Sequence, residues 1–276
     1  MQKASPLVSV IMPAYNAEKY ISEAIESILN QTFKDFEFII VDDASTDKTW
    51  EIIQEYARKD DRIIAVRNEK NLYIAENRNK GLSYARGKYI VWQDADDISI
   101  PTRIEKQVAF MEAHPEVGIC GAYIQSFNEN GDLDIRKYAT DDAILRKHIF
   151  KFSPVAQPVA IVRKESIDKV GYFNPAYPPA EDIDMSFRIG EYYKFANIPE
   201  VLLKYREHSS SATFTKLRKQ IKATLAIRRR YAKKPSYVFN ISDCLAYIFT
   251  VLTLLAPPFI TIGVFKKLRN LFLKSK

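Results

Sequence analysis

The sequence predicts an α/β fold, in which a mostly parallel twisted sheet is flanked by helices and a helical tail follows. Three observations support this prediction. Short apolar runs alternate with segments of helical periodicity over the first part of the chain, which is typical of βαβ units. Asn or Asp residues follow several apolar runs, as expected where ligands bind beyond the carboxyl ends of parallel strands. Residues 216–276 differ from the rest in being basic and apolar.

The predicted elements follow this alternation in order. Apolar residues spaced three or four apart, such as Ile21, Ile25 and Ile28, predict helices, whereas short apolar runs predict strands. Pro101 favours a helix start, and Pro115 ends that helix. Strands are predicted over residues 8–12, 36–41, 63–66, 89–92 and 117–127, helices over 17–30, 47–58, 75–85 and 101–114, a hairpin turn at 128–132, and short elements joined by loops over 140–215.

Length and composition narrow the class of protein. A chain of 276 residues can form one large domain with an appendage. Its two cysteines, Cys120 and Cys244, are too few for a disulfide framework, and with only three histidines a zinc site is disfavoured. The N-terminus has no long apolar stretch before a small-residue cleavage site. We therefore expect no signal peptide and a folded body in the cytoplasm.

The positive charge is concentrated in the tail. Residues 216–276 contain fourteen Lys or Arg and one acidic residue, Asp243. Subtracting these from the 41 basic and 34 acidic residues of the chain leaves 27 and 33 in residues 1–215, a net charge of −6. A nucleic-acid-binding domain is expected to carry its positive charge on the folded body. We therefore expect no nucleic-acid partner.

An uncharged stretch within the tail points to a membrane. Residues 244–265 are 22 consecutive uncharged residues, enough to cross a bilayer. Pro257 and Pro258 interrupt a helix there, however, and both flanks are basic, so both flanks should stay on the cytoplasmic side. The sequence thus favours a re-entrant or interfacial hairpin on anionic lipid. A buried helix pair or an oligomer interface is the alternative.

Three carboxylates follow the predicted strand at residues 89–92. Asp94, Asp96 and Asp97 repel one another and resist desolvation, so a cation or solvent must neutralise them. An all-oxygen set favours Mg²⁺ or Mn²⁺ over zinc, and such an ion usually keeps open positions for nucleotide phosphates. The alternative is a solvated, Asp-rich turn.

The glycine pattern argues against common nucleotide-binding motifs. The chain has eight glycines and no G-x-G-x-x-G, and Gly81, Gly87 and Lys88 are spaced wrongly for a phosphate-binding loop. A dinucleotide-dependent dehydrogenase and a P-loop enzyme are therefore disfavoured. Phosphate charge would have to be met by a metal ion and by Arg or Lys.

Several segments resemble, in the right order, the family 2 glycosyltransferases, which have the GT-A fold. The first three are residues 8–33 (VSVIMPAYNAEKYISEAIESILNQTF), 38–47 (FIIVDDASTD) and 71–98 (NLYIAENRNKGLSYARGKYIVWQDADDI). Residues 180–190 (AEDIDMSFRIG) are similar to the segment that supplies the catalytic base, and residues 205–213 (YREHSSSAT) to the His-containing loop. The resemblance covers about 1–215 and not the tail at 216–276. It implies a nucleotide-binding half over about 1–98 and an acceptor half over about 99–215.

The resemblance places a uracil base at the ends of the first two strands. Pro13, Ala14 and Tyr15 match the position that seats the ring, where a tyrosine can stack; turn chemistry with a packed tyrosine is the alternative. Asp43 matches the carboxylate that accepts from the uracil N3–H, for which a carboxylate is a suitable acceptor. Asp42 can cap the next helix, and the two aspartates can exchange these duties.

The resemblance also implies a metal site. Asp96 matches the ribose contact and Asp97 the principal metal ligand, with Asp94 completing the motif, although spacing leaves open which carboxylate touches the metal. His208 can add an imidazole ligand, which favours Mn²⁺ over Mg²⁺, unless it is a structural histidine. Arg78 matches a contact to the base or the diphosphate, unless it is a solvated surface residue.

Asp182 matches the catalytic base of the family. A base must be a positioned carboxylate whose pKa is not too low, and the neighbouring Glu181 and Asp184 should raise the pKa of Asp182 by like-charge repulsion. If residues 182–190 are helical, Asp184 pairs with Arg188 at i,i+4 and Asp182 faces the cleft. An acidic first helix turn favoured by the macrodipole is the alternative.

These observations predict a metal-dependent inverting glycosyltransferase that moves a sugar from a nucleotide-diphosphate donor, expected to be a UDP-sugar, to a glycan or lipid-linked acceptor, forming a β-glycoside. Glu181 and Gln157 are expected on the acceptor side, although Gln157-Pro158 replaces the His-Pro or Asn-Pro common in the family. The tail would hold the enzyme, peripheral or re-entrant, on the cytoplasmic face of the cell membrane for surface-polysaccharide synthesis. The alternatives are a nucleotidyltransferase acting on sugar phosphates and a catalytically inactive membrane scaffold of the same fold.

Overall fold

The computed structural model describes residues 5–208 and 217–257, together with Thr261 and Gly263. Within these ranges the chain forms a nine-stranded sheet with helices on both faces, which confirms the predicted α/β class. Residues 258–260, 262 and 264–276, which carry part of the membrane prediction, lie outside the described residues. So does most of the segment 205–213 after His208.

The elements are named in chain order. The strands are β1 Val8–Ala14, β2 Phe36–Asp42, β3 Ile63–Arg67, β4 Tyr89–Trp92, β5 Ile98–Ser99, β6 Val117–Asn128, β7 Gly131–Arg136, β8 Ile161–Arg163 and β9 Lys194–Arg206. The helices are α1 Ile21–Leu29, α2 Thr49–Lys59, α3 Tyr73–Tyr84, α4 Arg103–Ala113, α5 Asp142–His148, α6 Lys164–Val170, α7 Glu181–Gly190, α8 Leu217–Tyr231 and α9 Ile241–Leu252. Short 3₁₀ turns occur at Gln157–Val159 and Thr253–Leu255.

The strand order is β3-β2-β1-β4-β8-β6-β9-β5, with β7 paired to β6. The first four strands are parallel, as predicted for the nucleotide-binding half. Beyond them the sheet is mixed, because β8 runs antiparallel to both of its neighbours while β6 and β9 are parallel. Ala14 pairs with Asp42, and Asp42 with Arg67, so these three strands end at one edge of the sheet.

The strands of the parallel part are buried on both faces, which explains why they read as continuous apolar runs rather than as alternating ones. In β1, Val10 and Met12 belong to one core cluster, whereas Ile11 between them belongs to the other. This alternation follows from the period of two in a strand. The sheet therefore lies in the middle of the molecule, with helices covering each face.

The first helix begins later than the periodicity predicts. The prediction started at residue 17, but α1 starts at Ile21. The reason is tertiary, because the backbone N–H groups of Ala17 and Glu18 donate to Thr49 Oγ1 (2.7 Å) and Asp47 Oδ2 (3.1 Å) at the start of α2. These contacts hold the turn after β1 against the turn after β2.

The start of the predicted tail, helix α8, packs on the folded body. The ring of Tyr231 in α8 stacks on Phe187 of α7 with centroids 4.5 Å apart, and its hydroxyl donates to Asp184 Oδ1 (3.2 Å). Arg228 is also buried, and its Nη2 donates to the carbonyl of Lys151 (2.7 Å). Helix α8 is thus packed on the folded body despite its basic composition.

Helix α9 has an inverted distribution of polarity. Its polar residues Asp243 and Thr250 are buried, and Asp243 closes a capping box with Asn240. Most of the large apolar residues over 238–255 are exposed: Val238, Ile241, Leu245, Ile248, Phe249, Val251, Leu252 and Leu255. In the described ranges no helix is both long enough and apolar enough to cross a bilayer.

Candidate active site

The carboxyl ends of β1, β2 and β4 open into a cleft of about 2520 Å³ that the start of α7 closes from the other side. All the predicted site residues except Asp97 line it: Pro13, Ala14, Tyr15, Asp43, Arg78, Asp94, Asp96, Gln157, Glu181, Asp182 and His208. The structure thus brings together residues from both halves of the sequence. Tyr15 is half-exposed there, with 50% of its surface accessible.

Asp43 is buried at the end of β2 and is held by the start of α3. Its Oδ1 accepts from the Leu72 N–H and from Asn68 Nδ2, both at 2.8 Å, and its Oδ2 accepts from the Tyr73 N–H at 2.9 Å. Asn77 supports Asn68 by accepting from its Nδ2 at 3.0 Å. A carboxylate has about four acceptor positions, so these three donors leave one for a ligand.

The prediction that Asp42 can cap the following helix, or exchange duties with Asp43, is wrong. Asp42 is fully buried and pairs with Arg67, with Nε to Oδ2 at 3.0 Å, while accepting from the Ser45 N–H. Burial raises the pKa of Asp42, and Ser45 and Arg67 oppose this shift. Asp42 holds the β2–β3 edge together, whereas Asp43 is the one that lines the cleft.

The aspartate cluster divides into two groups. Asp94 and Asp96 line the cleft, and His208 Nε2 lies 2.8 Å from Asp96 Oδ2. Asp97 is fully buried, with Oδ1 accepting from the Arg206 N–H at 2.9 Å and Oδ2 lacking a hydrogen-bond partner within the described part of the chain. Burial raises the pKa of Asp97, and repulsion by Asp96 and Asp94 adds to this shift.

The predicted metal set of Asp94, Asp97 and His208 is not assembled. Among the described residues, no three His, Cys, Asp or Glu side chains are placed so that together they could hold a metal ion. The reason for Asp97 is the pairing of β5 with β9, which brings the Arg206 N–H onto its carboxylate. His208 contacts Asp96, which the prediction had assigned to the ribose. The carboxylates of the cluster that line the cleft are therefore Asp94 and Asp96, with His208 beside Asp96.

Arg78 joins the two sides of the cleft. Its guanidinium is buried over the rings of Trp92 and Phe173, with Nη1 2.6 Å from Glu181 Oε1 and Nη2 3.7 Å from Asp94 Oδ1. Arg78 is therefore not a solvated surface residue. Its predicted contact with the base or the diphosphate stays a prediction.

Asp182 stands at the start of α7 and lines the cleft. Burial raises its pKa, and the Arg78 guanidinium and the Ile183 N–H oppose this shift. The pKa of Glu181 is also raised, first by burial and then by the charges of Asp182 and Asp94, with Arg78 opposing. Asp184 points away, because it pairs with Arg188 at 2.8 Å, which confirms the predicted i,i+4 contact.

Gln157 lines the cleft at the start of a short 3₁₀ turn. It is 7% exposed, and its Nε2 has no hydrogen-bond partner among the described residues. An unpartnered buried donor is costly unless a ligand meets it. The predicted acceptor-side position of Gln157 stays a prediction.

Sequence reasoning missed the polar residues beneath the cleft. Asn68 and Asn77 hold Asp43, Arg206 holds Asp97, and the fully buried Arg103 lies below the aspartate cluster. Polar side chains on the inward face of a predicted helix are the signal that could have found Asn77 and Arg103. No local signal marks Asn68 or Arg206.

Comparison with known proteins agrees with this geometry. The family model described as glycosyl transferase family 2 matches residues 9–171. The chain belongs to this family. An uncharacterized glycosyltransferase of Methanocaldococcus jannaschii is 37% identical to it over 90% of both chains. A second relative is 31% identical over 80% of this chain and 86% of its own: the UDP-Glc:alpha-D-GlcNAc-diphosphoundecaprenol beta-1,3-glucosyltransferase WfaP of Escherichia coli.

Solved structures show the same fold. Residues 1–349 of S. aureus TarS in complex with UDP-GlcNAc have a TM-score of 0.70 at 20% identity, covering 88% of this chain and 71% of that TarS chain. The mannosyltransferase PcManGT of Pyrobaculum calidifontis, in complex with GDP-Man and Mn²⁺, has a TM-score of 0.64 at 19% identity, covering 99% and 82%. Membership of the family identifies this glycosyltransferase as an enzyme and disfavours the nucleotidyltransferase alternative.

Proposed function

We propose that this glycosyltransferase is a metal-dependent inverting enzyme that transfers the sugar of a UDP-sugar to a glycan or lipid-linked acceptor and forms a β-glycoside. One observation supports this above all: Asp182, with a pKa raised by burial, lines the same cleft as Asp43, Asp94 and Asp96. A base and a nucleotide site on one cleft are what a single displacement at the anomeric carbon requires.

In this mechanism the uracil stacks on Tyr15 and donates its N3–H to the free acceptor position of Asp43. Asp182 takes the proton of the acceptor hydroxyl as that oxygen attacks the anomeric carbon from the side opposite the diphosphate. The charge of Arg78 lowers the pKa of Asp182 against the effect of burial and so favours the carboxylate form that a base needs. Gln157 is in a position to donate from its unpartnered Nε2 to an acceptor oxygen.

A divalent cation, Mn²⁺ or Mg²⁺, would meet Asp94 and Asp96 in the cleft, with the diphosphate oxygens of the donor completing its ligands. Burial raises the pKa of Asp94, the Arg78 guanidinium opposes this shift, and the charges of Asp96 and Asp182 add to it. When bound, the ion would offset charge developing on the leaving diphosphate. The imidazole of His208 beside Asp96 favours Mn²⁺ over Mg²⁺, because Mg²⁺ prefers oxygen ligands alone.

The experiment that tests this function is release of free nucleotide from a panel of sugar nucleotides, with Mn²⁺, with Mg²⁺ and with EDTA. We expect UDP release from one or more UDP-sugars, dependent on the added metal and stimulated by a glycan or lipid-linked acceptor. Release of pyrophosphate from UTP and a sugar phosphate would instead indicate a nucleotidyltransferase. A protein that releases nothing from the whole panel would be an inactive scaffold.

The pH dependence of transfer should follow Asp182. Because the base acts as a carboxylate, activity is lost as pH falls through its pKa, and a raised pKa moves this acid limb above the ordinary value of 3.8. The variant Arg78→Met removes the charge that lowers this pKa, so the acid limb of kcat/KM should move to higher pH. Arg67→Met, which removes a cation paired with Asp42 instead, should leave the limb in place. A limb that stays or falls in Arg78→Met contradicts the role of Arg78.

We further propose that the enzyme works on the cytoplasmic face of the cell membrane in surface-polysaccharide synthesis. The exposed apolar face of α9 supports this, since a helix that buries its aspartate and exposes its leucines is adapted to an apolar partner. The neighbouring α8 exposes basic side chains suited to anionic lipid, at Arg218, Lys219, Lys222, Arg229 and Arg230. The name of WfaP, whose acceptor is a diphosphoundecaprenol-linked sugar, agrees with a lipid-linked acceptor.

Membrane binding should depend on the exposed face of α9. The double variant Leu245→Ser, Ile248→Ser is expected to lose most binding to vesicles containing anionic lipid, measured by co-sedimentation, because two largely exposed apolar side chains are removed. Leu133→Ser with Ile135→Ser on β7 changes apolar residues of comparable exposure and should bind as the wild type does. Equal binding by both variants would contradict the assignment, and dissociation of a dimer in the α9 variant would indicate an oligomer interface.

A further inference from the structure

Tyr73 has an unusual backbone and an unusual exposure. It opens α3 with φ at +65°, a left-handed conformation that a bulky side chain rarely adopts. Its ring is 67% exposed and lines the cleft. A ring so exposed contributes little to the core, so packing does not account for a tyrosine at this position.

The strained backbone is held by the residue proposed to bind the nucleobase. The Tyr73 N–H donates to Asp43 Oδ2 and to Asn71 Oδ1, both at 2.9 Å, and the preceding Leu72 N–H donates to Asp43 Oδ1. Hydrogen bonds to a carboxylate are stronger than neutral ones and offset part of the strain. The Asp43 carboxylate, which is the proposed hydrogen-bond acceptor for the nucleobase, thus also holds the start of α3. Tyr73 therefore lies beside the proposed nucleobase site.

We propose that Tyr73 is a second aromatic wall of the nucleobase pocket, in addition to Tyr15, and stacks on the base of the donor nucleotide. This inference rests on the proposed function. Strained conformations persist where a functional site requires them, and an exposed aromatic ring at a base site has an available stacking partner in the base. Stacking tolerates any base, so Tyr73 would supply affinity, while Asp43 selects uracil by its hydrogen bond.

The decisive variant is Tyr73→Gly. Glycine adopts a positive φ without strain, so this change removes the ring and should not lower the melting temperature. We expect the dissociation constant for UDP, measured by calorimetry with Mn²⁺ present, to rise about tenfold, which is the scale of one lost base stack. Tyr73→Phe keeps the ring and should bind UDP within about twofold of the wild type.

Two comparisons separate stacking from a structural effect. The affinity for pyrophosphate, which has no base, should be the same in Tyr73→Gly and in the wild type. Tyr192→Ala removes an exposed tyrosine that does not line the cleft, and it should leave the affinity for UDP unchanged.

The outcomes that would overturn the stacking role of Tyr73 are as follows. Tyr73→Gly binds UDP with wild-type affinity, or it loses affinity for UDP and for pyrophosphate by the same factor. Weak binding by Tyr73→Phe would assign the effect to the hydroxyl and also overturn it. If the wild type does not bind UDP, the proposed function itself fails, whereas binding of UDP by the wild type with no effect of Tyr73→Gly refutes only this inference.

Discussion

Replacement of Asp182 by Asn should lower transfer by about 10²- to 10⁴-fold while leaving the affinity for UDP nearly unchanged, because a general base contributes a factor of this size. The amide has the shape of the carboxylate, and its oxygen can still accept from the Ile183 N–H, as Asp182 Oδ1 does at 2.9 Å. It cannot take a proton from the acceptor hydroxyl. Single-turnover transfer and calorimetric titration with UDP, both with Mn²⁺, measure the two quantities separately.

The neighbouring carboxylate provides the matched control. The pKa of Glu181 is also raised by burial, but its Oε1 is engaged by Arg78 Nη1 at 2.6 Å, so Glu181 is less available as a base. Glu181→Gln should therefore keep far more activity than Asp182→Asn. Loss of transfer in Glu181→Gln with retention in Asp182→Asn would move the base to Glu181. Parallel loss of UDP binding and transfer in Asp182→Asn would remove it from the role of base.

The nucleotide edge of the site is predictable from the sequence. Tyr15, Asp43 and Asp94 each follow an apolar run, and parallel strands end at a common edge, so local patterns are enough to gather them. The placement of Asp182 in the same cleft was predicted only from the family resemblance. Nothing local to α7 indicates that its first turn lies opposite the ends of β1, β2 and β4, because that placement depends on long-range packing.

The choice between Asp96 and Asp97 could not be made from spacing. The two adjacent side chains face different surroundings, and which one meets the cleft depends on β5. This strand has only two residues, and it pairs Ile98 with Lys204 of β9, which is far away in the sequence. A strand this short leaves no recognisable hydrophobic pattern, so the sequence does not predict the pairing. The resulting bond from the Arg206 N–H to Asp97 joins residues 109 apart.

The packing of α8 was obscured by its charge. The basic residues of α8 dominate its composition. Leu217, Ile221 and Leu225 nevertheless form an apolar stripe at helical spacing that packs on Tyr247 and Leu254 within the tail, whereas Tyr231 packs on α7 of the folded body. Composition averages a helix over all its faces, whereas packing depends on one face alone.

The buried Arg103 is expected to be essential for stability. Its guanidinium is fully buried and donates to Trp92 O (2.7 Å), Ser99 Oγ (2.9 Å) and Gln93 Oε1 (3.1 Å), groups that bear no charge. Burial lowers the pKa of Arg103 to about 9, and the charges of Asp97 and Asp94 oppose this shift. The desolvation of this cation is thus offset by the neighbouring carboxylates and by a full set of acceptors.

Arg103→Met should lower the free energy of unfolding by about 3–5 kcal/mol, the usual result of leaving buried charge uncompensated. Chemical denaturation of the metal-free protein measures this loss. Arg163→Met is the matched control, because that buried guanidinium donates to the carbonyls of Met111, Val117 and His114. It should also destabilise the fold, through lost hydrogen bonds.

Double-mutant cycles with Asp97→Asn test whether Arg103, unlike Arg163, stabilises the fold through its charge interaction with Asp97. Neutralising Asp97 removes one of the carboxylates that Arg103 compensates, so Asp97→Asn should cost less, or even stabilise, when Arg103 is already Met. A coupling of about 0.5–3 kcal/mol is expected for Arg103 with Asp97, and additivity within about 0.5 kcal/mol for Arg163 with Asp97. Additivity in both cycles would mean that Arg103 is held by its hydrogen bonds alone. A coupling confined to Arg103 would show that the aspartate cluster depends on this fixed cation before any metal binds.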